Sequence, residues 1–183
     1  MWQTVVGDAN FYELLYRMDE EIAAKARQGG CGHCGGRLDS ARYRRKPRGA
    51  SLDLGPAYER RLSFCCDGCR RRTTPPSLRY LGRRVYLGAA VVLAAALRQG
   101  VTPVRASKLR ELFGVDHRTL VRWRRWWLES FVRTRLWRAA RGDFAVPVEE
   151  GLLPASLLER FVGPPRDALV VTLRFLAALS TTS

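Results

Sequence analysis

The sequence predicts a mainly α-helical fold with one small four-cysteine ribbon placed ahead of a helix–turn–helix. Three observations predict it. Apolar residues recur at helical spacing near the start of the chain and through its second half. Between those parts, residues 31–75 are rich in Gly, Arg and Cys, lack that period, and hold two Cys-x-x-Cys pairs separated by 31 residues. Near Gly114, two short amphipathic stretches meet at a glycine, the residue that turns the chain at least cost.

Residues 10–28 read as the first helix. Phe11, Leu14, Leu15, Met18 and Ile22 fall three and four apart and share a face, which packs on the rest of the chain or meets a partner. Asn10 is the expected N-cap, and Gly29 with Gly30 the stop. In the next region, residues 60–66 alternate loosely around Leu62 and Phe64, as a short strand does. Thr73, Thr74, Pro75 and Pro76 close it with a turn or an extended linker. Residues 83–99 then form a helix made apolar on most faces by Val85, Leu87, Ala89, Val91, Val92, Ala95 and Leu97, hence buried, with Gly100 ending it. Thr102 and Pro103 suit the next helix start, as cap and first residue. Helices are expected over 104–113 and 117–140, and in the tail over 154–161 and 165–179. The division is therefore an N-terminal helix (1–28), a zinc ribbon (29–76), a helical domain (77–141) with the helix–turn–helix at 104–128, and a helical tail (142–183).

The cysteine spacing points to a metal. Two residues between cysteines let both thiolates turn toward one point, and glycine in each knuckle permits the tight backbone. Cys31, Cys34, Cys66 and Cys69 thus supply the four soft ligands of a tetrahedral zinc site. A closed shell of thiolates leaves no position for a substrate, so one structural Zn2+ per chain is expected. A rubredoxin-like iron site would use the same ligands, whereas a thioredoxin-like redox motif would need a single pair in a βαβ setting. Cys65 stands directly before Cys66, but the Cys66/Cys69 pair keeps the two-residue spacing and Phe64 stands two residues ahead of it, so Cys65 is read as packing. His33 is read as pointing outward from the first knuckle.

The segment from Ala106 through Trp123 carries the second signal. Leu109, Leu112, Phe113, Val115, Leu120 and Trp123 occupy the positions that pack two helices around Gly114, and Asp116 can cap the second. His117, Arg118, Val121 and Arg122 are left on the outer face near the helix start, the end that enters a major groove. Trp123, Trp126 and Trp127 share a face and are read as core, with Arg122, Arg124 and Arg125 outside that stripe.

Charge narrows the function. The chain carries 32 Lys and Arg against 17 Asp and Glu, a net charge of +15, so a polyanion is the expected partner, and double-stranded DNA the expected one. Within the ribbon, residues 42–48 set Arg42, Arg44, Arg45, Lys46 and Arg48 around Tyr43 and Pro47, as an arm against phosphates or as a solvated loop. Lys108, Arg124 and Arg125 are further candidates for phosphate contact. The longest apolar run falls short of the ~20 residues that cross a bilayer, and residues 1–10 lack the pattern of a signal peptide. The cysteine usage fits a reducing compartment, so a cytoplasmic location without membrane association is expected.

The helix–turn–helix, with its Leu112-Phe-Gly-Val115 segment and the Arg118-Thr119 pair, resembles those of transposases and of resolvase-like or repressor-like regulators over about eighteen residues. Arg110 departs from that pattern, which usually has a small residue there; its side chain must lean outward or the helices must separate. Together with the knuckles Cys31-Gly-His-Cys34-Gly-Gly and Phe64-Cys-Cys-Asp-Gly-Cys69-Arg, residues 29–128 resemble the N-terminal DNA-binding half of bacterial insertion-sequence transposases. Those enzymes usually continue into a nuclease domain with three separated carboxylates, for which the 55 residues after position 128 are too few. The resemblance therefore implies a DNA-binding regulator or accessory of a mobile element, without catalytic activity. A transposase or another mobile-element protein is a candidate partner, as is a second copy of the chain. The alternative is an assembly subunit that binds protein and holds nucleic acid by charge.

Overall fold

The computed structural model describes residues 2–50, 52–81, 86–96 and 102–180. A short helix α1 (Trp2–Val6) leads into α2 (Ala9–Gln28). Asp8 caps α2 in place of Asn10, because its carboxylate accepts the Asn10 N–H at 2.9 Å, and the cap stands two residues earlier than expected. The buried face holds Phe11, Tyr12, Leu15, Asp19 and Ala23, while Leu14, Met18 and Ile22 lie half-buried beside it. Gly29 ends the helix, and Gly30 turns the chain away at φ 71°, where a side chain would be strained.

The ribbon follows as β1 (Leu38–Ser40), β2 (Tyr43–Arg44), α3 (Gly55–Tyr58), β3 (Arg60–Arg61), β4 (Phe64–Cys66) and β5 (Arg72–Thr73). One antiparallel sheet has the order β1-β4-β5, and β2 pairs with β3 in a second. The single strand expected over 60–66 is broken at Leu62 and Ser63. Its register nevertheless runs through the break, with Ser40 opposite Phe64 and Tyr43 opposite Arg61. The Ala41 N–H donates to the Ser63 carbonyl at 2.8 Å across it, so the two sheets are one bent hairpin. Thr73 still belongs to β5; the extended run begins only at Thr74, and Pro75 is buried.

In the helical part, α4 (Gly88–Ala95) is buried along its whole length. It is shorter than the helix expected over 83–99. Tyr86 and Leu87 are extended and bridge to Arg48 and Tyr80, while residues 83–85 and 97–100, with Val85, Leu97 and Gly100, lie outside the described residues. Helix α5 (Pro103–Phe113) begins at Thr102, whose hydroxyl accepts the Arg105 N–H. Helix α6 (His117–Arg125) does not run on to residue 140. A π-helical turn over Trp126–Ser130 and a 3-10 turn over Phe131–Arg133 follow it, then α7 (Arg135–Ala140) capped by Thr134. The wider turn sets Trp127 and Phe131, both fully buried, with ring centroids 4.7 Å apart. The tail holds α8 (Ala155–Leu158), shorter than expected, and α9 (Pro165–Leu176), which ends in a 3-10 turn over Ala177–Ser180.

The fold is thus mainly helical, with small antiparallel sheets beside the clustered cysteines. Buried apolar residues form two clusters. The larger extends from Val6 to Leu179 and includes Phe11, Leu15, Tyr58, α4, Trp123 and Trp127. The smaller is the ribbon core of Ala23, Cys31, Leu38, Leu62, Phe64 and Cys66. Helix α2 serves both, since its first half packs in the larger and Ala23 in the smaller. Between them Asp19 meets Arg79, both side chains wholly buried, at 2.8 Å. Among the described residues no helix is long and apolar enough to cross a membrane.

Candidate metal centre and nucleic-acid interface

The two knuckles are built alike. In the first, the Gly35 N–H donates to the Cys31 carbonyl at 2.8 Å and the Cys31 N–H to the Gly36 carbonyl at 2.9 Å. In the second, the Arg70 N–H donates to the Cys66 carbonyl at 3.2 Å and the Cys66 N–H to the Arg71 carbonyl at 2.9 Å. Gly35 and Arg70 take the same left-handed turn, at φ 71° and 59°, and Arg70 is the only non-glycine among the described residues to do so. Strand β4 delivers Cys66, and the end of α2 delivers Cys31.

These turns aim four thiols at one point. The Sγ atoms of Cys31, Cys34, Cys66 and Cys69 all lie within 4.8 Å of one another, with Cys31–Cys69 at 3.6 Å and Cys34–Cys66 at 3.4 Å. A tetrahedron with metal–sulfur bonds of about 2.3 Å has edges of about 3.8 Å, so the cluster can hold a single metal ion. Backbone amides prepare it. The His33 and Cys34 N–H groups hold the Cys31 thiol down at about 6. Cys69 gains the Arg71 N–H, but burial and the neighbouring thiols of Cys34, Cys31 and Cys66 push it up to about 12. Such crowded sulfurs cannot all ionise beside one another unless a cation joins them.

Gly36 is needed for closeness. A Cβ built there would lie 3.0 Å from the Cys66 Sγ and 3.3 Å from the Cys34 Sγ. Cys65 is directed elsewhere by strand alternation. Its Sγ lies 3.4 Å from the Arg70 carbonyl, and the half-buried side chain belongs to neither the cluster nor the core. His33 is exposed, with Nδ1 3.2 Å from an Arg71 guanidinium nitrogen.

The second candidate is the hairpin of α5 and α6. Gly114 turns it at φ 60°, and the Asp116 carboxylate accepts the Thr119 N–H at 2.6 Å. That N–H, with the Thr119 hydroxyl, holds the Asp116 carboxyl below its ordinary value. Leu109, Phe113, Val115, Leu120 and Trp123 are buried as expected, and Leu112 is half-buried. Arg110 leans outward. The Trp127 N–H donates to the Val91 carbonyl at 3.3 Å, tying the hairpin to α4.

His117, Arg118, Val121 and Arg122 all stand exposed on α6, and Lys108 is exposed on α5. Arg124 is half-buried, and Arg125 is exposed with Glu129 at 4.0 Å. In the ribbon, Arg44, Lys46 and Arg48 are exposed. Arg45 instead lies over the Tyr43 ring at 5.1 Å, and Arg72 lies over the same ring at 5.4 Å. Arg72 and Tyr86 are neighbours of these cations that no local pattern marks. Tyr86 bridges to Arg48 and sets its ring against Trp123.

Comparison with family models, with curated proteins and with solved structures finds no match.

Proposed function

We propose that this chain is a zinc-containing protein that binds duplex DNA through α6, as a regulator or accessory factor of a mobile element. The observation that carries the reading is the polarity of α6: Thr119, Leu120 and Trp123 are buried, while His117, Arg118, Val121 and Arg122 face solvent from the capped end. Arg118 and Arg122 lie four apart on one face, so each can fork onto a guanine edge. Lys108, Arg124 and Arg125 flank them toward phosphates, and Arg44, Arg45, Lys46 and Arg48 extend the basic surface from the ribbon. Zinc held by Cys31, Cys34, Cys66 and Cys69 would lock the knuckles together and take no part in a reaction. Reduced thiolates of this kind suit the cytoplasm. A second copy of the chain would read a second half-site, and the mobile-element assignment rests on the resemblance of residues 29–128 to insertion-sequence transposases.

The test begins with duplexes enriched from a random pool at defined salt. Arg118→Ala should weaken the enriched duplex by about 1–3 kcal/mol and relax one base position. Lys108→Ala should weaken enriched and unselected duplexes alike and lower the salt slope by about one unit. If both variants weaken both duplexes by one factor, α6 does not read sequence. An assembly subunit that holds nucleic acid by charge then replaces the proposal.

A further inference from the structure

Residues near Arg48 run from the ribbon to the start of α4. The Leu87 N–H donates to the Arg48 carbonyl at 2.9 Å, and Arg48 pairs in parallel with Tyr86. Gly49 permits this approach. It turns at φ 100°, and a Cβ there would lie 2.6 Å from the Ala90 Cβ. The ribbon loop is thereby pressed onto the helical core.

Tyr86 carries the contact onward to α6. Its ring meets Trp123 edge-on, with centroids 5.0 Å apart and planes at 84°. One turn earlier on α6, the Thr119 hydroxyl accepts from Arg122 Nη2 at 3.4 Å. Burial would push the Tyr86 phenol up, yet the Thr119, Arg122 and Arg48 side chains around its oxygen hold it below its ordinary value. Arg48, paired along the backbone with Tyr86, and Arg122, next on α6 to the Trp123 that the Tyr86 ring meets, are therefore two exposed cations brought to one residue. Like charges brought together in this way repel, and an incoming phosphate relieves them.

We propose that the ribbon loop and α6 form one continuous DNA-contacting surface, in which Arg48 grips a phosphate beside the base read by Arg122 and Tyr86 positions both side chains. This rests on the DNA-binding reading of α6. It extends that reading by making the ribbon part of the same contact, where a separate arm would bind alone. The surface spans residues far apart in sequence, so neither half is complete without the packing of Tyr86 between them.

The experiment measures affinity of the full zinc-loaded chain for an enriched duplex and an unselected duplex of equal length. The variants are Arg48→Ala, Arg122→Ala, their double, Tyr86→Phe and, as reference, Arg118→Ala. Tyr86→Phe keeps the ring against Trp123 and removes only the hydroxyl, so the thermal midpoint should hold. Arg122→Ala should lose about tenfold on the enriched duplex, and Arg48→Ala about threefold on both duplexes. The double variant should lose at least about threefold less than the product of the singles, as side chains sharing one contact do. Tyr86→Phe should weaken the enriched duplex by about threefold, and Arg48→Ala, Arg122→Ala and their double, made in the Tyr86→Phe background, should show independent effects. Independent effects already in the parent chain, or a Tyr86→Phe variant that binds like the parent, overturn the shared surface. If Arg118→Ala in the same assay still separates the two duplexes, only the shared surface has failed. If no variant separates them, the reading of α6 fails, and the shared surface with it.

Discussion

Removing the Arg79 guanidinium should cost more stability than any surface substitution on this chain. Arg79 and Asp19 are wholly buried, with Arg79 Nε donating to Asp19 Oδ2 at 2.8 Å. The remaining donors reach the Ala57 carbonyl at 3.2 Å and the Arg60 carbonyl at 3.3 Å, binding α3 and β3 to α2. The guanidinium also faces the rings of Tyr16, Tyr58 and Tyr80 at 4.8, 5.0 and 5.2 Å. In Arg79→Met the carboxylate keeps the Leu78 N–H at 2.7 Å and the Ser77 hydroxyl at 2.5 Å but loses its counter-charge. Breaking a buried pair from one side costs about 3–5 kcal/mol, because the surviving charge stays out of water unpaired. For a chain of this size that lowers the thermal midpoint by roughly 6–20 °C. Asp19→Leu should cost as much, since it strands the cation. The double variant should lose less than the sum by about 1 kcal/mol or more, since neither charge is then left alone. Urea denaturation and a thermal scan of the three variants, both followed by circular dichroism, measure all of this. Single-variant losses under about 1 kcal/mol, or strictly additive ones, would refute the reasoning that an uncompensated buried charge dominates.

Elemental analysis of chain purified without chelator should find one zinc per chain, and Cys65→Ser should leave that content unchanged, because its Sγ points to the Arg70 carbonyl. A halved content would move the ligand register by one residue. Gly36→Ala should release metal to a chelator faster than the parent, because its Cβ would press on Cys66 Sγ at 3.0 Å, while Gly32→Ala should behave as the parent, with nothing within 4 Å. Equal release from both would remove the steric account of the knuckle. Trp127→Ala should cost about 3–5 kcal/mol in the same urea assay, since the side chain is fully buried and the wide turn is shaped to seat it; a loss under about 1 kcal/mol would show that the site collapses around the smaller residue. The purified chain should neither cut nor join DNA in magnesium or manganese, a result overturned by cleavage that disappears on changing one carboxylate.

The residues alone determined the features whose causes are local. Two-residue spacing is enough to bring four thiols together, even though the second knuckle turns at Arg70 where the first turns at Gly35, and the register followed from Cys66 and Cys69 keeping that spacing while Cys65 did not. The α5–α6 hairpin was legible for the same reason, since Gly114, the Asp116 cap and the apolar positions act within a turn or two of one another. Local signals also misled where packing competed. The 117–140 segment reads as one helix, but seating Trp127 and Phe131 side by side widens it and Thr134 restarts it. Only the tertiary structure decided the rest. No local pattern marks Asp19 or Arg79, and their pairing across 60 residues leaves no trace in the sequence around either. Tyr86 falls inside the helix expected over 83–99, and nothing in the local pattern marks it. Its place between Arg48 and Trp123 exists because the ribbon loop, α4 and α6 close on one another, and such long-range packing has no periodicity to announce it.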